Sequence, residues 1–83
     1  MYKDLINKSV TVVVSSRGDN LLEYTGLLDS ESEEGITLIN ADISCLMLNF
    51  QKGIFGSSMN QYKNNVRKVV INKKYIISCD LNE

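Results

Sequence analysis

The chain has no histidine, no proline and only two cysteines in 83 residues. Without histidine there is no side chain suited by default to general acid–base work near neutral pH. Cys45 and Cys79 alone cannot supply the four ligands of an ordinary structural zinc site. One disulfide or two free thiols remain open; nothing points to secretion, so two buried free thiols are expected. Both lie in apolar strand-like stretches, where a thiol is normally inert. The missing proline means that no strand is interrupted by one. There is no glycine-rich phosphate loop and no serine in a nucleophile setting. The expectation is therefore a protein that is not an enzyme and holds no cofactor or metal.

Long apolar runs are absent too. None approaches the roughly 20 residues of a membrane-spanning helix, and Met1–Ile6 lacks the apolar core of a signal peptide. The reading is a cytoplasmic protein with no membrane partner. Residues 1–83 suffice for one domain with a small core, marginal as a monomer. Partner subunits are one remedy for that marginality.

Net charge is −1 but unevenly spread. Residues 1–42 carry about −5, and residues 43–83 about +4, through Lys52, Lys63, Arg67, Lys68, Lys73 and Lys74. Such asymmetry either marks a surface for an anion such as RNA or lets the two halves neutralise each other. The acidic isoelectric point near 5.3 argues against a coat for non-specific nucleic-acid binding.

Residues 2–8 place Tyr2, Leu5 and Ile6 at helical spacing, which predicts a short helix that must dock to persist. Val10-Thr11-Val12-Val13-Val14 is β-branched throughout and predicts a strand with Val10, Val12 and Val14 on one face. Residues 15–20 read as a turn. Leu21–Asp29 predicts a second strand with Leu22, Tyr24, Gly26 and Leu28 sharing a face. A glycine inside a strand permits a sharp bend or a close backbone approach. Asp29–Gly35 is an acidic loop without the ligand spacing of a calcium site, so a solvated hairpin tip is expected. Ile36–Asn49 predicts a long third strand, bent or bulged near Asn40–Asp42 because alternation falters there. Phe50–Asn65 is rich in loop formers and long for a plain connection, which suggests an interface or functional loop. Two apolar strands follow, Val66–Ile71 and Tyr75–Cys79, joined only by Asn72-Lys73-Lys74. So tight a corner is a common device of small bent barrels. Short turns between successive strands predict a meandering, antiparallel, closed sheet.

This order of a short helix and five strands resembles the Sm-like (LSm) family. The first part of that family's signature is matched loosely by Gly26-Leu27-Leu28, the acidic loop, Ile36-Thr37-Leu38 and Asn40-Ala41-Asp42. The second is matched by Val70-Ile71-Asn72-Lys73-Lys74-Tyr75-Ile76-Ile77, with Phe50–Asn65 as the variable loop between. Apolar spacing carries the match more than identities do. The resemblance implies a mainly β fold: a short N-terminal helix followed by a five-stranded, strongly bent antiparallel SH3-like barrel. It also implies head-to-tail rings of six or seven subunits and single-stranded RNA bound near the pore. On that alignment Glu31 falls near the family's Asp, Gly35 stands where its Asn belongs, and Asn72 and Lys73 replace its Arg-Gly pair. No aromatic lies between Glu31 and Gly35, so the family's stacking ring has no counterpart there. The candidate RNA-binding residues are Asn72, Lys73, Lys74, Gly35 and Glu31. An amide can hydrogen-bond a base edge and a lysine can meet phosphate.

The last two strands are apolar on both faces, and edges of that kind aggregate unless paired. Val66, Lys68, Val70, Tyr75 and Ile77, with Phe55 and Tyr62 in the long loop, are the candidate interface residues of a homo-oligomer. Two functions stand side by side: a ring that binds RNA, and a non-enzymatic protein-interaction or assembly module of the same small-barrel fold.

Overall fold

A computed structural model describes residues 2–15, 20–47 and 62–82. Five strands account for most of them: β1 Ser9–Ser15, β2 Asn20–Glu31, β3 Gly35–Met47, β4 Tyr62–Asn72 and β5 Ile76–Leu81. All pairings are antiparallel, and the strands form one sheet in the order β4-β3-β2-β1-β5. The expected strands are present, and the corner between the last two is a 3-10 turn, Lys73–Tyr75.

Three expectations need correction. The short N-terminal helix is only a 3-10 turn, Lys3–Leu5. Seven residues cannot carry the cost of helix nucleation, and the peptide groups that would extend a helix bond to β2 instead. Asn7 N–H donates to the Leu28 carbonyl (2.7 Å), and Leu28 N–H donates to the Lys8 carbonyl (3.0 Å). Asn7, at φ 70°, swings the chain into β1; asparagine tolerates that left-handed region better than most residues. Second, the sheet is not closed. β4 and β5 lie at opposite ends of the strand order, and each has one edge unpaired among the described residues. Third, Tyr62–Asn65 belong to β4 and not to the long loop, because each pairs with β3, from Cys45↔Tyr62 to Asp42↔Asn65.

The core follows from the valine alternation. Val10, Val12, Leu28, Ile36, Leu38 and Ala41 are fully buried, and Val14 and Ile71 nearly so. Tyr24, Leu22, Val66, Val69, Ile76 and Cys79 pack around them. In β3 the inward parity changes, from Ile36 and Leu38 to Ala41. The cause lies in the register with β2: Thr25 pairs with Asp42 but Leu27 pairs with Ile39. Asn40 and Ala41 together therefore face Gly26, a β-bulge that bends the strand. Asn40 absorbs it at φ 51°. A Cβ on Gly26 would lie 2.9 Å from the Ile39 carbonyl oxygen and 3.0 Å from the Ala41 Cα, so glycine is required for close approach. The change of parity passes to β4, where Val69 packs inward opposite Leu38 and Val66 opposite Ala41. Arg67 and Lys68 between them are consecutive and both exposed.

Cys45 and Cys79 are unbonded and half-buried rather than buried. No helix among the described residues is long and apolar enough to cross a membrane.

Candidate functional site

The β2–β3 tip and the β4–β5 corner meet at one end of the sheet. Register brings them together: Gly35 pairs with Asn72 across β3 and β4, and Lys73 N–H donates to the Glu34 carbonyl (2.9 Å). The tip is a tight turn held by Ser32. Its N–H donates to the Gly35 carbonyl (2.8 Å), and its hydroxyl lies 3.2 Å from both the Gly35 carbonyl oxygen and the Gly35 nitrogen. A Cβ on Gly35 would meet the Ile71 carbonyl oxygen at 2.6 Å. Backbone closeness therefore excludes a side chain at the position where the resembled family carries Asn.

At the centre of this junction, Lys73 Nζ lies 2.6 Å from Glu31 Oε2. The Glu31 side chain is only 9% exposed and that of Lys73 28%. Glu31 Oε1 is buried without a hydrogen-bond partner among the described residues. The hydrogen bond from Lys73 holds the Glu31 carboxyl below its ordinary value; burial opposes this, and the lysine's charge adds to the lowering. The Lys73 ammonium also sits 5.6 Å from the centre of the Tyr2 ring, within cation–π range. An open cleft of about 250 Å³ beside the pair is lined by Lys3, Glu31, Ser32, Glu33 and Lys73.

Glu31, Gly35, Asn72 and Lys73 thus converge. The Asn72 side-chain oxygen accepts from Lys74 N–H (3.0 Å) and caps the corner turn. Its amide NH₂ group remains as the donor. Lys74 does not line the cleft; its ammonium lies 5.3 Å from the Tyr75 ring centre, and both residues are exposed. Lys73, read from sequence as free to meet phosphate, instead carries a carboxylate partner.

The candidate interface residues divide. Val70 and Ile77 are the most exposed large apolar side chains described, at 67% and 58%, and Tyr75 is 48% exposed. Lys68 is exposed on β4. Val66 is turned toward the core. Tyr62 opens β4 opposite Cys45. Phe55 and most of the long loop lie outside the described residues. Burial, and secondarily the charge of Asp80, push the Cys79 thiol up, which leaves little reactive thiolate at neutral pH. No cluster of three or more potential metal-ligating His, Cys, Asp or Glu residues occurs among the described residues.

Sequence reasoning missed Tyr2 as part of this junction, having placed it on a helix face, and missed the Glu31–Lys73 pair. Neither has a local signal, since both depend on the β3–β4 register. No protein-family model matches the chain. No curated protein matches it either.

Proposed function

We propose that this chain is an Sm-like module without enzymatic activity, built on one open five-stranded antiparallel sheet. Copies join edge to edge in the cytoplasm, β4 of one against β5 of the next, into a ring of six or seven. Single-stranded RNA binds at the corner near the pore, through Asn72, Lys74 and the exposed Tyr75 ring, with Glu31, Gly35 and Lys73 framing it. The observation that carries this reading is the strand order, which leaves β4 and β5 as the two edges of one sheet. Val70 and Ile77 stand exposed on them. Unpaired apolar edges template pairing with another chain. A head-to-tail contact between unlike edges closes into a ring when its rotation divides the circle. Repetition of Lys74 around such a ring would focus a field that one subunit lacks. Tyr75 supplies the flat ring on which a base can stack.

A second reading, a protein-interaction or assembly module that binds no RNA, is favoured by one observation. Lys73 is already paired with Glu31, which leaves Lys74 as the corner's other lysine, without a carboxylate partner among the described residues. Light scattering over a range of concentrations comes first, then titration of short oligo(U) and oligo(A) across a salt series. A stable six- or seven-fold mass with salt-sensitive binding supports the RNA-binding ring. A stable oligomer without binding at low salt supports the assembly module. A monomer at every concentration removes the shared pore and the first reading with it.

A further inference from the structure

We infer that Glu31 is a built-in competitor at the corner, holding Lys73 out of contact with an incoming phosphate. This deepens the RNA reading and rests on it. The cleft beside the corner is lined by two cations, Lys3 and Lys73, and two carboxylates, Glu31 and Glu33. As built it is close to neutral and offers an anion little attraction. Removing the charge of Glu31 alone would make it a net-positive site, open to solvent and attractive to an anion.

The geometry of the pair supports competition over a purely structural brace. Lys73 contacts Glu31 through one carboxylate oxygen, Oε2, while Oε1 is buried with no donor among the described residues. A buried carboxylate with half its acceptor capacity unfilled is imperfectly compensated. The corner does not need the side-chain pair for its shape. It is already fixed by Lys73 N–H on the Glu34 carbonyl, the Asn72 cap on Lys74 N–H and the Gly35–Asn72 register. The Lys73 ammonium is therefore positioned by the backbone and neutralised by a side chain. A phosphate that reaches it must displace Glu31, so the ground state of the corner presents Lys74 alone.

The test is fluorescence anisotropy of labelled oligo(U) and oligo(A) with the full chain, from about 50 mM salt upward. Glu31→Gln keeps the side chain's size and removes its charge. It is expected to tighten binding roughly three- to tenfold at the low-salt end and to steepen the salt slope by about 0.7 per added phosphate contact. Lys73→Gln combined with Glu31→Gln removes one charge of each sign from the cleft and is expected to cancel the gain, returning affinity to within about twofold of wild type. Unchanged or weaker binding by Glu31→Gln overturns the inference, as does a gain that persists in the double variant. Either result in a wild type that binds RNA leaves the RNA reading intact. If neither wild type nor Glu31→Gln binds at low salt while both are folded by circular dichroism, the RNA reading itself fails. Should Glu31→Gln not fold, Glu31→Ala, which also removes the charge, decides in its place: tighter binding supports the inference and unchanged or weaker binding overturns it.

Discussion

Gly35 lies so close to the backbone of Ile71 that a Cβ on the glycine would stand 2.6 Å from the Ile71 carbonyl oxygen. That oxygen is backbone in a paired strand and cannot step aside as a flexible side chain could. Gly35 also closes the Ser32 turn and pairs with Asn72, so tip and corner share this one contact. Gly35→Ala is expected to destabilise the fold by about 1–3 kcal/mol, the range of overpacking. Urea denaturation followed by circular dichroism measures it. A variant as stable as wild type would mean that the tip and corner are looser than described.

The bulge opposite Gly26 makes a second, separable prediction. Asn40 sits at φ 51°, a region asparagine and glycine tolerate and β-branched residues do not. Asn40→Gly should stay near wild-type stability, whereas Asn40→Val should cost about 1–3 kcal/mol. The contrast isolates backbone conformation, because Asn40 is exposed and neither change removes a buried contact. Equal stability of the two variants in the same denaturation series would show that no left-handed residue is needed there.

These two sites also show what the sequence makes legible. The bulge was foreseeable: alternation fails at Asn40–Asp42, and Gly26 occupies a core-facing position where a side chain belongs. The valines of β1 and the corner at Asn72–Lys74 were equally plain, since β-branched alternation and short polar breaks are local signals. What depends on register was not legible. Glu31 lies in an acidic run that reads as a solvated tip, and Lys73 in a basic turn. Only the pairing of Gly35 with Asn72 makes them neighbours. The apolar spacing of Tyr2, Leu5 and Ile6 suggested a helix, yet packing against the core needs only their side chains, and a 3-10 turn delivers them. Closure of the sheet cannot be read from strand patterns, because an edge residue and a paired residue have the same alternation.

Acid should weaken the junction through Glu31 in a defined direction. Its carboxyl titrates below the ordinary value of 4.5 in the folded protein, first because Lys73 donates to it. The unfolded chain therefore binds the proton more readily than the folded one. The stabilisation is complete above pH 4.5 and is lost as pH falls through the lower, folded value. Wild-type stability should fall more steeply with acid over that window than that of Glu31→Gln, while the two curves run parallel above it. Parallel curves throughout would mean that the pair contributes nothing to folding.

The edges allow the sharpest separation of fold from assembly. Val70 on β4 and Ile77 on β5 are exposed, so replacing either by lysine removes no core contact. Surface changes of that kind usually shift stability by no more than about 0.5 kcal/mol. A charge on an edge strand is, however, a standard obstacle to strand addition. In a head-to-tail assembly each contact uses one β4 edge and one β5 edge, so a charge on either should break every interface of the ring. Val70→Lys and Ile77→Lys are each expected to reduce an oligomer to monomers by light scattering, with the circular dichroism of the sheet retained. Mixing the two variants provides the decisive control. Each retains one intact edge, and a β4 edge from the Ile77→Lys chain can pair with a β5 edge from the Val70→Lys chain. The mixture should therefore recover heterodimers but no closed ring. Should the mass stay unchanged in both variants, the subunits meet through some other surface. Loss of the sheet signal would instead mean that these side chains support the fold.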